Sequence, residues 1–436
     1  MRIVHITAGA GGRLCGSCMH DNTLVRSLRQ RGRDAILVPA YVPTTTDEEN
    51  VAEGRIVMGG VNVWLQEYLP LFRHTPALFD RLLDARGLLA WLSRRTGSTR
   101  PADLGGLTVS SLQGELGHQR KEVEKLAHWL ATEIQPDIVH FSNVLLVGLA
   151  RRVREATGAK IVVSLSGEDI FLEQVPEPHY SAARQLLCGR AADVDCCVAL
   201  NQFFASFMAD YLALPAERIA VVPHGVDTAG FAAVAPDLAA RRRDRGSRLV
   251  IGSLARACPE KGLELLVRSL ALLAPHYDVE LRAAGAEIDA EQAYLKSCHR
   301  LAAELGVAKR FVWLGQVDRP GKIALLESID LFAMPTVHPE AKGIPVLEAF
   351  AAGVPVVAPA HGTFPEYLQP GTPQATGLAH RPGDAADLAA KIALLLDDVA
   401  LCQQLGSAAW ELARSRHTLS AMAAGHEALY ARLLQA

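Results

Sequence analysis

The chain is predicted to be an α/β protein built from two successive Rossmann-like domains with parallel sheets, facing each other across a cleft. Two observations carry this. Short apolar runs alternate with longer amphipathic stretches, the rhythm of parallel strands joined by crossover helices. The rhythm also runs through one set of strands and then restarts, which implies two sheets rather than one. The length of 436 residues is large enough for two to three domains.

In the first half the strands are RIVHITA (2–8), AILVPA (35–40), DIVHFS (137–142), KIVVSLS (160–166) and VDCCVAL (194–200). Helical patterns such as VGLARRVREAT lie between the later ones. In the second half the strands are RLVIGSL (248–254), VELRAAG (279–285), FVWLG (311–315), LFAMP (331–335) and PVVAP (355–359), separated by helices such as KGLELLVRSLALLA and DLAAKIALLLD. The expected domains are 1–215 and 216–415, joined near LPAERIAVVPHGVD. A final helix over 416–436 can pack on either domain, including back on the first. Residues 73–100, RHTPALFDRLLDARGLLAWLSRRTGSTR, interrupt the rhythm as a basic amphipathic helix pair. This insertion reads either as a surface hairpin with solvated arginines or as a contact for an acceptor or membrane surface. The dense arginines Arg241 to Arg245 read as a solvated charge run.

Half of the residues are hydrophobic and about a fifth are charged, with a net charge of −3 and a pI near 6.6. That balance describes a globular chain and gives no reason to expect a nucleic-acid partner. No apolar run reaches the roughly 18 residues of a membrane span. The start, MRIVHITAGAGG, lacks the apolar core and cleavage site of a signal peptide. Eight irregularly spaced cysteines fit a reducing cytoplasm. The expected location is therefore cytoplasmic. Neither a repeat nor a low-complexity tract is visible.

Two stretches carry the chemistry. In HPEAKGIPVLEAFAAGVPVVAP, Glu340 follows a strand and precedes a Gly-Ile-Pro turn into a helix. Gly343 permits a tight backbone, and Pro345 suits the first helical turn. The N–H groups of Gly343 and Ile344 then face an anion at a helix start. Glu348, about one turn in, can face the same ligand, and two carboxylates suit the hydroxyls of a polyol. The other reading is that Glu340 caps the helix and Glu348 makes a surface pair. In GSLARACPEKG, Arg256 and Lys261 sit in the loop at the carboxyl end of a strand, where open α/β sheets bind ligands. Two cations there would neutralise a diphosphate.

The remaining signals are weaker. In GAGGRLCGSCMHDN, Leu14 stands where a dinucleotide fingerprint needs a third glycine. Cys15 and Cys18 form a lone C-x-x-C without two further ligands at finger spacing, so no metal is expected. SGED, Ser166 to Asp169, reads as a capped turn or as a contact for substrate. His140 reads as a satisfied strand histidine.

Taken together, GSLARACPEKG, RFVWLGQVD, DLFAMPTVHPEAKGIPVLEAFAAGVPVVAPAHGTFPE and VVPHGVD resemble the family 4 type of retaining GT-B nucleotide-sugar glycosyltransferases, over most of residues 220–370. The resemblance implies sugar transfer from a nucleoside diphosphate sugar with retained configuration, for carbohydrate or glycolipid biosynthesis. It implies that Glu340 contacts the transferred sugar and Glu348 the donor ribose. Lys342, Gly343 and Ile344 would meet sugar and phosphates, Arg256 and Lys261 the diphosphate, Val317 the nucleobase, and Gly12 the floor of the cleft near the donor. The leaving phosphate would take the acceptor proton, with no metal or other cofactor. The family often carries His where this chain has Ser166, so Ser166, Glu168 and Asp169 stand as acceptor-side or sugar-side candidates. The partners implied are a nucleotide-sugar donor and an unidentified acceptor, with the inner membrane face as the location if the acceptor is a lipid. The competing readings are a nucleotide-sugar epimerase or hydrolase, and a non-catalytic nucleotide-sugar binding protein. An NAD oxidoreductase is disfavoured by the incomplete glycine fingerprint and by the lack of an acid closing AILVPAYVP.

Overall fold

The structure is a computed structural model that describes residues 1–9, 16–44, 46, 49–74, 101–240, 248–286 and 291–435. Gly12, Leu14, Cys15, residues 75–100 of the expected insertion and Arg241 to Arg245 lie outside the described residues. The chain divides into two compact units, Met1–Pro223 with Met422–Ala436, and His224–Ala421.

The first unit holds a six-stranded parallel sheet of β1 (Arg2–Thr7), β2 (Asp34–Pro39), β3 (Ile138–Phe141), β4 (Lys160–Ser164), β5 (Cys196–Ala199) and β6 (Ile219–Val221), in the order β2-β1-β3-β4-β5-β6. Helix α1 (Gly16–Gln30) links β1 to β2, and α2 (Gly60–Tyr68) follows β2. Strand β6 forms inside LPAERIAVVPHGVD, the stretch the sequence offered as the join, and the first unit runs to Pro223. Three residues at a sheet edge leave no periodic signal to read.

The second unit repeats the plan with β7 (Leu249–Leu254), β8 (Val279–Ala284), β9 (Phe311–Trp313), β10 (Leu331–Ala333), β11 (Val356–Pro359) and β12 (Gly377–His380), in the order β12-β11-β10-β7-β8-β9. Sequence reading also missed β12, again a short edge strand. Adjacent residues of the central strands bury into opposite cores. Ile251, Leu331 and Val357 pack on one face, whereas Val250, Phe332 and Val356 pack on the other. Burial on both faces explains why these strands read as continuous apolar runs. Helices α3 (Arg319–Ser328) and α4 (Ile344–Ala351) cover the second face, through Leu325, Leu326, Val346, Leu347 and Phe350.

The last helix, α5 (Leu419–Gln435), belongs to the first unit from Met422 onward. It is held there by a buried polar layer. His5 on β1 and His140 on β3 are in register, with ring centroids 4.5 Å apart. His5 Nε2 lies 3.0 Å from Asp21 Oδ1 of α1. His140 shares its Nε2 with Ser164 Oγ at 2.8 Å and its Nδ1 with the Tyr430 hydroxyl of α5 at 2.6 Å, which satisfies both ring nitrogens of the strand histidine. His426 Nδ1 donates to Met422 O at 2.9 Å, and its ring centroid lies 6.3 Å from that of His20. All of these side chains are buried. Burial opposes ionisation of Asp21, but the charge of His5 and hydrogen bonds from His20 and His5 outweigh it and hold the carboxyl below the usual carboxylate range. Burial, reinforced by the neighbouring histidines, pushes His140 well below its ordinary value. Burial likewise pushes His426 down to about 3. At the rim of the layer, Arg31 and Arg33 each bond one oxygen of Glu427 at 2.9 Å.

Candidate functional site

The strand order of the second sheet explains where its charged residues meet. The chain runs from β7 outward to β8 and β9, then returns to place β10 on the other side of β7. The crevice at such a switch point is where open parallel sheets bind ligands. The loop after β7 carries Arg256 and Lys261, and the loop after β10 carries Glu340. The Val337 amide donates to Glu260 O at 3.0 Å and joins the two loops. Gly262 makes the approach possible. Its φ is +71°, and a Cβ there would lie 2.0 Å from Pro335 O, so a larger residue would force the loops apart.

Lys261 Nζ donates directly to Glu340 Oε2. The side chains are 24 % and 14 % exposed, so the pair is screened far less than a surface bridge. Burial alone would raise the Glu340 pKa. The Lys261 charge and hydrogen bond, with the Lys342 amide, outweigh burial and keep the carboxyl below its ordinary value. Glu340 Oε1 accepts from Lys342 N at 3.4 Å, and the Tyr367 hydroxyl donates to Lys342 O at 2.9 Å, fixing this turn. Gly343, at φ +61°, opens α4, with Ile344 and Pro345 in its first turn. Glu348 lies within α4 among the buried Val346, Leu347, Ala349 and Phe350.

Lys261, Glu340, Lys342, Gly343 and Ile344 thus come together at one switch point. Arg256 and Lys261 line one pocket with Ser253, Ala283, Ala284 and Trp313. Arg256 is bonded to Glu291, a partner the sequence did not suggest. Val317 is partly buried against the core at the start of α3. Glu348 takes its own cation, Lys322, at 2.7 Å. Sequence reading missed Lys322 and Trp313. A lysine in an amphipathic helix reads as solvated, whereas Trp313, at the carboxyl end of a strand, was a signal that could have been used.

Ser166, Glu168 and Asp169 lie in the first unit, after β4. The Glu168 carboxylate accepts from Ser166 N at 2.9 and 3.1 Å and from Ser166 Oγ at 2.8 Å. Glu168 is buried, so its charge closes its own turn. Asp169 opens a single helical turn, Asp169–Leu172, and is also buried. Cys18 is buried 3.8 Å from Thr7 Oγ1. Among the described residues, no group of three or more His, Cys, Asp or Glu is arranged to hold a metal ion.

Two parallel-sheet units with a charged switch-point site define a GT-B protein. A solved structure of Anabaena Alr3699/HepE in complex with UDP shares this fold, with a TM-score of 0.70 and 19% identity, over 99% of this chain and 100% of that one. The Glycosyl transferases group 1 family model matches residues 237–411, and the Glycosyltransferase Family 4 model matches residues 91–229. The two matches together cover more than half of the chain, which belongs to the family 4 type of group 1 glycosyltransferases. Among curated relatives, a GDP-mannose-dependent alpha-(1-6)-phosphatidylinositol monomannoside mannosyltransferase of Mycolicibacterium smegmatis is 32% identical over 237 residues, 52% of this chain and 58% of that protein. A GDP-mannose-dependent monoacylated alpha-(1-6)-phosphatidylinositol monomannoside mannosyltransferase of Corynebacterium glutamicum is 28% identical over 302 residues, 62% of this chain and 72% of that protein. The match to the first relative thus spans little more than half of that protein's length.

Proposed function

We propose that the protein is a retaining glycosyltransferase that moves a sugar from a nucleoside diphosphate sugar to a hydroxyl of a glycolipid headgroup. The observation that carries this reading is the Lys261–Glu340 pair at the β7/β10 switch point, beside the start of α4. Lys261 and Arg256 take the diphosphate, Glu340 a hydroxyl of the transferred sugar, Glu348 the ribose and Val317 the base. The bond from the anomeric carbon to the diphosphate oxygen breaks, and its electron pair stays on the phosphate. The acceptor oxygen bonds to the same face of that carbon, and the departing phosphate oxygen takes the acceptor proton. Catalysis then consists of positioning two substrates and stabilising the charge of the leaving group. The reading needs no metal, because two side-chain cations neutralise that charge.

The relatives' use of GDP-mannose and phosphatidylinositol mannosides supports these as the first donor and acceptor class to test. A lipid acceptor is further supported by exposed apolar residues on and after α2, namely Trp64, Tyr68, Leu69 and Leu71. They lead into the arginine-rich sequence 73–100, a composition suited to an anionic membrane face. No described helix is long and apolar enough to cross a membrane, so the contact is peripheral in this reading.

The test is nucleotide release from GDP-, UDP- and ADP-sugars in EDTA, with and without phosphatidylinositol mannoside vesicles. Acceptor-dependent release of GDP is the expected result. Release at the same rate without acceptor would make the protein a hydrolase, and tight donor binding with no turnover would make it a binding protein.

A further inference from the structure

We propose that Lys322 is a positioning residue that holds Glu348 in place for the donor ribose. The inference rests on the functional reading above, which gives Glu348 that ribose. Lys322 Nζ engages Glu348 Oε1 at 2.7 Å, which leaves Oε2 able to accept from a ligand hydroxyl. The side chains are 21 % and 14 % exposed, so the pair sits largely out of water, where a fixed charge partner matters most.

The backbone beneath Lys322 is held at several points. Asp318 caps α3 by accepting from Gly321 N at 2.9 Å, and the Lys322 amide donates to Asp318 O at 2.8 Å. Arg319 donates to Asp227 O at 3.1 Å and to Ala229 O at 2.6 Å. Ile323, the next residue, packs into the core. Lys322 is therefore presented from a fixed helical turn, and the remaining freedom lies in its own side chain. Glu348 is fixed in the same way by the buried residues of α4 around it. What a rigid backbone does not set is the rotamer of the carboxylate, and the Lys322 bond sets it. The segment that carries Lys322 also begins with Val317, the expected base contact. One short piece of chain thus governs both the base and the ribose ends of the nucleoside.

The experiment compares GDP with 2′,3′-dideoxy-GDP for binding to wild type, Lys322→Met, Lys322→Arg and Glu348→Gln, alongside donor KM and kcat. Wild type binds GDP about tenfold or more tightly than the dideoxy analogue, the size of a charge-assisted hydrogen bond. Lys322→Met loses that discrimination and raises donor KM about tenfold with little change in kcat, the pattern of lost ground-state binding. Lys322→Arg restores most of the discrimination, and Glu348→Gln loses it. A lysine that only stabilised the fold would weaken both ligands alike and leave their ratio untouched. If Lys322→Met keeps the wild-type ratio, this inference fails and the functional reading stands. If wild type binds no guanosine, uridine or adenosine diphosphate at all, both fail.

Discussion

Each unit concentrates polar side chains in one place, and the two concentrations are built differently. In the first unit, His5, Asp21, His140 and His426 lie wholly inside, between the sheet, α1 and α5. In the second, Lys261, Glu340, Lys322 and Glu348 lie at the end of the sheet and keep part of their surface open. In the closed layer Ser164 and Tyr430 satisfy His140, whereas His5 Nδ1, Asp21 Oδ2 and His426 Nε2 are buried without a hydrogen-bond partner among the described residues. The open cluster matches each carboxylate with one lysine, Glu340 with Lys261 and Glu348 with Lys322, and Glu340 turns its second oxygen to the Lys342 amide. The histidine layer packs α5 against the first sheet, and the lysine–glutamate pairs are the groups that the proposed function gives to a donor.

The sharpest break between the two regions is expected from Lys261→Ala. It should lower kcat about a thousandfold, the scale of losing a charge stabiliser of the transition state, while the protein still folds, with melting lowered because Glu340 loses its charge partner. Turnover close to wild type would remove the second cluster from the chemistry. Next in size, Gly262→Ala places a side chain against Pro335 O and should cost about 3 kcal/mol through strain and overpacking. Chemical denaturation measures it, and an unchanged midpoint would mean that the two loops are not held together as described.

The third prediction concerns pH and separates the regions directly. His140 and His426 have folded-state pKa values below the unfolded value of about 6.5. Their neutral forms are therefore favoured by folding. Their contribution is complete above that value and is lost as pH falls below it, by about 1.4 kcal/mol per pH unit for each histidine. Asp21 and Glu340 are also depressed, but their contributions fade only below the ordinary carboxylate range. Amide protection factors in residues 422–435 should therefore fall between pH 6.5 and 5, before those in 344–351. A simultaneous fall of protection in both segments would show that the histidine layer is not what holds α5. The smallest effect is expected from Glu168→Gln. Its amide oxygen still accepts from Ser166, so stability should fall by about 1 kcal/mol and turnover should hardly change. A collapse of activity there would give Glu168 a role at the acceptor.

Much of this was legible in particular residues. PVVAP and LFAMP announced buried strands because both of their faces are apolar. The spacing of Glu340, Gly343, Pro345 and Glu348 announced a turn into a helix start with two acids. The missed strands, β6 and β12, are edge strands of three and four residues, too short for alternation to stand out. Lys322 was passed over because nothing local distinguishes a lysine bound to a carboxylate from one in water. Glu291 was likewise invisible as the partner of Arg256, since the two lie 35 residues apart.

By itself the sequence determined the class of fold, and it supplied the residue types that could hold a phosphate and a sugar. These follow from local rules, because apolar periodicity, glycine and proline act over a few residues. Only the tertiary structure decided that β10 lies beside β7, so that Lys261 meets Glu340 across 79 residues of chain. The physical reason is that the neighbour a parallel strand takes is chosen by the packing of whole faces and crossover helices, which no short window of sequence contains.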